Sequence, residues 1–293
     1  MDQYDGHGVA STVRVVPTGA ALGADIEGID IARPLDAATL ATIRQAWADH
    51  LVLRFRGQTL DDEQLKSFSA QFGTLDHAPL PAAKDGHRQD PTYISVISNI
   101  VQDGKAIGGL GAYESLWHTD MSYVDRPPMA SALYALEVPP SGGDTGFSNQ
   151  YLAYESLPEA TRRRLDGLKL RHDASLNSVG ELRRGFTEVT DPRQTPGALH
   201  PLVRTHPVTG RKALFLGRRR NAYIEGLDLA DSESLLDLLW QTASAPRFTW
   251  YQQWRVGDLV MWDNRCTLHR RDAFDPTTRR LMHRTQFAGE AVI

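Results

Sequence analysis

Apolar and polar positions along this chain fall into short, uneven blocks. The spans 13–16 and 24–31 read as strands separated by Pro17 and Gly19. Within Ala37–His50, apolar Leu40, Ile43, Ala46 and Trp47 recur at helical spacing, and Asp36 stands where an N-cap belongs. The span 51–55 reads as a buried strand. A second helix is predicted over 60–72, with Leu65, Phe68 and Phe72 as its stripe and Gly73 as its stop. Downstream, 93–100, 129–138, 248–254, 259–262 and 279–287 read as strands. The spans 200–206 and 211–216 flank Pro207-Val208-Thr209-Gly210 as a hairpin. Helices are expected over 151–165 and over 231–243, the latter with Leu235, Leu238 and Leu239 inward and Asp231 or Ser232 as cap.

No internal repeat or linker divides the chain, and strands and helices do not alternate regularly. The pattern predicts one domain over 1–293, mainly β with flanking helices (α+β), built as an antiparallel double-sheet jelly roll. The span 74–116 departs from it, with several prolines and the run Gly108-Gly109-Leu110-Gly111. Long connections of this kind often cover active sites, so it reads as a lid-like insertion leading into His118.

Composition narrows the function classes. Apolar residues are 41%, charged residues 23% and the net charge −4, an ordinary globular balance that suggests neither nucleic acid nor an anionic membrane as partner. The single cysteine, Cys266, precludes an intrachain disulfide and fits a reducing cytoplasm. No signal peptide is evident at the N-terminus and no apolar run approaches a membrane span, so a cytoplasmic protein is expected.

The candidate chemistry lies in Trp117-His118-Thr119-Asp120 and, far downstream, His269. His118 and Asp120 are two apart, so in extended chain both side chains face the same way. Two histidines and one carboxylate form the facial set that binds iron(II) and leaves three positions open for a cosubstrate and dioxygen. His7, His50, His77, His87 and His172 are expected to be merely solvated or hydrogen-bonded. In 279–287, Arg280 and Arg284 share a face with Met282, so both should point inward, where a buried guanidinium needs an anion. Arg279 and the run Arg218-Arg219-Arg220 are expected at the surface.

Four segments in order, WHTDMSY, SGGDTGFSN, WDNRCTLHR and RRLMHRTQF, resemble the taurine dioxygenase / 2,4-dichlorophenoxyacetate dioxygenase family over nearly the whole chain. The resemblance implies a double-stranded β-helix of cupin-like kind and an oxygenase using iron(II), 2-oxoglutarate and dioxygen. It assigns His118, Asp120 and His269 to the metal, Thr145 and Arg280 to the distal carboxylate of 2-oxoglutarate, and Arg284 to the anionic group of the prime substrate. Glu114 stands where the taurine enzyme has an asparagine, so taurine itself is disfavoured. Glu114 and Trp117, with Tyr123, are expected near the substrate. Asp120 keeps the carboxylate that a halogenase would lack. The expected reaction hydroxylates a small organic anion, and thereby cleaves it where the hydroxylated carbon bears a heteroatom, giving succinate and CO2. Relatives of this kind often form dimers or tetramers. The competing readings are a zinc hydrolase and a non-catalytic metal-binding jelly-roll sensor.

Overall fold

A nine-stranded sheet organises the molecule in the computed structural model, which describes residues 13–77, 92–113 and 115–293. Its strands run in the order Arg14–Pro17, Ala24–Glu27, Val52–Phe55, Leu259–Asp263, Ala130–Glu137, Leu281–Phe287, Ser95–Ser98 and Gly109–Leu110, with Leu75–Asp76 also paired to Leu281–Phe287. A minor sheet of four strands runs Thr249–Gln252, Thr145–Asn149, Thr267–Arg271 and Ser115–His118. Its pairings are all antiparallel. In the major sheet only Ala24–Glu27 with Val52–Phe55 and Ser95–Ser98 with Gly109–Leu110 pair parallel.

Side-chain alternation explains how the major sheet is buried on both faces. Leu53, Phe55, Ala130, Ala132, Tyr134, Leu259 and Met261 point outward into a core closed by helices Ala37–His50 and Asp62–Ala70, through Ile43, Trp47, Leu65 and Phe68. Their neighbours Val52, Leu133, Ala135, Val260, Trp262 and Met282 point the other way and pack with Phe147 of the minor sheet. The minor sheet's far side, through Leu268, meets helix Leu229–Ala243 in a third core. Among the described residues no helix is long and apolar enough to cross a membrane.

The first helix follows its pattern, with Asp36 accepting from the Thr39 amide at 2.7 Å. The second is shorter than its pattern, because Asp61 forms a reciprocal capping box with Gln64. The expected helix over 151–165 is two, Gln150–Glu155 and Glu159–Leu165. Pro158 between them has no amide hydrogen to continue the ladder. The late helix begins at Leu229, not at Asp231 or Ser232, and the Ser232 hydroxyl instead accepts from the Ile224 amide at 3.0 Å. Leu238 is 44% exposed, since Leu235, Leu236, Leu239 and Trp240 form the buried stripe.

Three buried side chains lock the turn after Leu259–Asp263. Arg265 binds the Asp263 carboxylate through Nε and Nη2, at 2.9 and 2.7 Å. His206 Nδ1 accepts the Val208 and Thr209 amides, so its Nε2 carries the proton and donates to Asp263 Oδ2 at 3.0 Å. Cys266 also lies close, but with both His206 nitrogens and the carboxylate engaged this cluster is a hydrogen-bond network and not a metal site. Burial alone would raise the Asp263 carboxyl, but the Arg265 charge and the His206 hydrogen bond outweigh it and hold it below the ordinary range. A depressed carboxylate stabilises the fold above its unfolded pKa of about 4, and that stabilisation is lost as pH falls below it. Asp263→Asn should therefore cost roughly 3–5 kcal/mol at neutral pH by urea denaturation. The gap between variant and parent should shrink steadily below about pH 4. A gap independent of pH would assign the cost to packing alone.

Candidate active site

The two sheets bring distant segments to one point. In the minor sheet Thr267–Arg271 pairs with Ser115–His118 so that His269 lies directly opposite His118. Their ring centroids are 4.2 Å apart. Asp120 follows the strand and turns the same way. Its Oδ1 lies 3.8 Å from His118 Nε2 and 3.7 Å from His269 Nε2. Two metal–ligand bonds of about 2.0–2.2 Å span such separations. All three side chains are buried.

Electrostatics suits the same role. Burial, with the neighbouring His269 and Arg218, holds the His118 imidazole well below its usual range, and burial pushes His269 down to about 4. Both rings are therefore neutral at pH 7, the ligand form. His118 Nδ1 donates to the Leu116 carbonyl at 2.7 Å, which leaves the Nε2 lone pair facing Asp120. Burial would raise the Asp120 carboxyl, but the Arg284 charge, with help from the Ser131 hydrogen bond, opposes it and keeps the group ionised.

Side chains that the sequence did not mark hold Asp120 in place. The Ser131 hydroxyl donates to Asp120 Oδ2 at 2.9 Å. Asn264 Nδ2 donates to Ser131 at 3.3 Å, and Trp262 Nε1 donates to Asn264 at 2.8 Å. Thus Trp262 and Asn264, inside the WDNRCTLHR segment, serve the carboxylate from the opposite sheet. From the other side Arg284 Nη1 lies 3.3 and 3.4 Å from the two Asp120 oxygens.

A cavity of about 830 Å³ opens on these groups, bordered by His118, Asp120, His269, Thr145, Arg280 and Arg284 among others. Arg280 is 1% exposed, and among the described residues its Nε and Nη1 have no hydrogen-bond partner. Burial and the nearby Arg271 push its guanidinium down to about 9. A buried cation so placed calls for an anion that the described residues do not provide. The Thr145 hydroxyl accepts from Trp254 Nε1 at 3.0 Å, leaving its own proton for another acceptor. Gly142 and Gly143, both at positive φ, let the preceding turn press on this corner. A Cβ on Gly142 would sit 2.8 Å from the Ala273 carbonyl oxygen.

Not every expected residue reaches the cavity. Trp117, next to His118 in its strand, points to the opposite face, packs edge-on against Tyr251 and lies beneath Arg270, outside the cavity lining. Tyr123 does border the cavity, whereas Glu114, like His7 and His87, lies outside the described residues. Arg279 is exposed and pairs with Glu137. The run 218–220 is not one surface patch: Arg219 pairs with Glu233 and Asp237, Arg220 is exposed, and Arg218 turns into the cavity. His172 is neither solvated nor hydrogen-bonded. It is 1% exposed, both nitrogens lack partners among the described residues, and His200 and Phe215 pack against it.

Residues 14–286 match the family model described as taurine catabolism dioxygenase TauD, TfdA family. The alpha-ketoglutarate-dependent 2,4-dichlorophenoxyacetate dioxygenase of Cupriavidus pinatubonensis is 36% identical over 280 residues, covering 92% of this chain and 96% of the relative. Pentalenolactone F synthase of Streptomyces avermitilis is 36% identical over 282 residues, covering 91% and 90%. Among solved structures, AAD-2 in complex with Mn(II) and N-oxalylglycine is similar with a TM-score of 0.78 at 30% identity, covering 96% of this chain and all of that one. Site geometry, sequence and fold agree: the chain belongs to the TauD/TfdA family of dioxygenases.

Proposed function

We propose that the protein is an iron(II)- and 2-oxoglutarate-dependent dioxygenase that hydroxylates a small organic anion on a double-stranded β-helix. One observation carries the reading: a buried Arg280, its Nε and Nη1 without a partner among the described residues, shares a cavity with a neutral-histidine and carboxylate triad. A zinc hydrolase would need the triad but would give Arg280 and Thr145 no purpose. The packed antiparallel sheets support the β-helix reading. The described stretch 92–113 walls one side of the cavity through Ile94, Ile107 and Leu110, as a lid would. Arg271 ties that stretch to the metal-bearing strand through the Leu110 and Tyr113 carbonyls.

His118 Nε2, His269 Nε2 and Asp120 would hold the iron, and Arg280 with the Thr145 hydroxyl would hold the far carboxylate of 2-oxoglutarate. The oxidation is supplied by iron(II), 2-oxoglutarate and dioxygen, with one oxygen atom ending in succinate, CO2 released and the other oxygen available to the substrate. Ser131 and Arg284 keep the Asp120 carboxylate turned toward the two imidazoles. Arg284 thus stands at the boundary of metal and substrate. The 2,4-dichlorophenoxyacetate relative acts on a carboxylate, and the arginine-rich cavity here suits an organic anion as well.

Succinate release from 2-oxoglutarate by the iron(II)-loaded protein, run against carboxylates, sulfonates, aryloxyalkanoates and alkyl sulfates, tests the reaction class. His118→Ala should abolish both iron retention and succinate, and a variant with full succinate output would sink the assignment. Arg280→Gln should weaken 2-oxoglutarate binding by roughly a hundredfold to a few thousandfold, as expected when a buried ion pair loses one partner. Arg280→Lys should fall between, since it keeps the charge but loses the planar fork. Unchanged affinity in an anaerobic titration would remove Arg280 from the cosubstrate site. Ser131→Ala should lower iron affinity by about 10–100-fold, the usual cost of losing an orienting partner. Parent-like affinity would show that Arg284 alone suffices to orient Asp120.

A further inference from the structure

The cavity wall holds seven arginines and, among its described residues, a single carboxylate, Asp120. Most of these charges are accounted for. Arg280 faces the cosubstrate, Arg284 holds Asp120, Arg270 pairs with Asp272 at 2.8 Å, and Arg271 binds two backbone carbonyls. Arg183 and Arg218 are different. Both stack on the ring of Tyr123, with guanidinium carbons 4.1 and 5.6 Å from its centroid. Among the described residues neither forms an ion pair. Arg218 Nη1 donates to the Leu176 carbonyl at 3.2 Å, and its Nε has no partner.

The backbone fixes Arg218 beside the metal ligands. Gly217 sits at φ +63°, where a Cβ would come within 2.0 Å of His172 Nδ1 and 2.6 Å of Ser122 Oγ. Its carbonyl accepts from the Thr119 amide at 3.0 Å, between His118 and Asp120. Two like charges on one ring repel. Burial and the Arg183 charge both push the Arg218 guanidinium down. A shared oxyanion would relieve both costs, and the planar forks suit it. Apolar Ile94, Ile97, Ile107 and Phe186 border the same cavity and suit a hydrophobic body.

We propose that Arg218 and Arg183, joined across Tyr123, seat the oxyanion of the prime substrate, a carboxylate or sulfate monoester carried on an apolar body. The proposal rests on the dioxygenase reading and names the part of its cavity that selects the substrate. Arg284 then serves mainly to steady Asp120.

The test is anaerobic calorimetric titration of the iron(II)- and 2-oxoglutarate-loaded protein with phenoxyacetate and hexyl sulfate, each against its neutral counterpart, phenoxyacetamide or hexanol. At least one anion should bind about tenfold or more tightly than its counterpart, and the preferred pair distinguishes carboxylate from sulfate. Arg218→Gln should erase that preference, Arg183→Gln should reduce it, and Arg218→Lys should keep part of it. Arg220→Gln, at the exposed neighbour, should leave it intact. If Arg218→Gln does not fold, Arg183→Gln and Arg218→Lys decide the matter. An absent preference in the parent, or one that survives substitution of both arginines, overturns the proposal. Succinate release from the same loaded protein is read separately. Anion preference without any succinate would count against the oxygenase reading and leave the anion seat standing.

Discussion

The structure turns on one buried ionised carboxylate. Asp120 is 5% exposed, and a desolvated charge of this kind persists only where partners surround it. Its partners come from both sheets. The two imidazoles belong to the minor sheet, while Ser131 and Arg284 belong to adjacent strands of the major sheet. Holding Asp120 therefore fixes how the sheets face one another. The apolar contacts beside it, Phe147 on Trp262 at 5.5 Å and Trp262 on His269 at 5.0 Å, are the inner core itself. Core and site are contiguous, so the rigidity of one is transmitted to the other.

How far the sequence was readable follows from the range of each interaction. The first helix was legible because its stripe and its Asp36 cap are local. The break at Pro158 was equally local, and the longer apolar run around it obscured it. The triad was legible through the two-residue spacing of His118 and Asp120, and the distant His269 through the motif around it. Its position opposite His118 is a matter of strand register that spacing alone does not contain. Ser131, Asn264 and Trp254 carried no signal of their own: serine, asparagine and tryptophan become orienting groups only when tertiary structure places an acceptor or donor against them. Trp117 shows the converse. Its neighbour to His118 suggested a shared role, but alternation along a strand sends adjacent side chains to opposite faces.

The arginines make the same point about charge. Residue type alone does not distinguish Arg279, Arg280, Arg284 and Arg218. Arg279 meets Glu137 at the surface, where an ion pair contributes little. Arg284 meets a protein carboxylate and becomes part of the metal site's frame. Among the described residues Arg280 and Arg218 form no ion pair, Arg280 fully buried and Arg218 partly so. The chemistry of a guanidinium in this cavity is thus set by what the fold withholds from it. Arg280 lies in the same cavity as Thr145, beside the glycine turn, and its Nε and Nη1 find no partner among the described residues. Arg218, next to the close-packed Gly217 and sharing the Tyr123 ring with Arg183, lies on a loop-borne part of the cavity wall. Relatives named for substrates as different as 2,4-dichlorophenoxyacetate and a sulfate ester show that one family fold serves several oxidations.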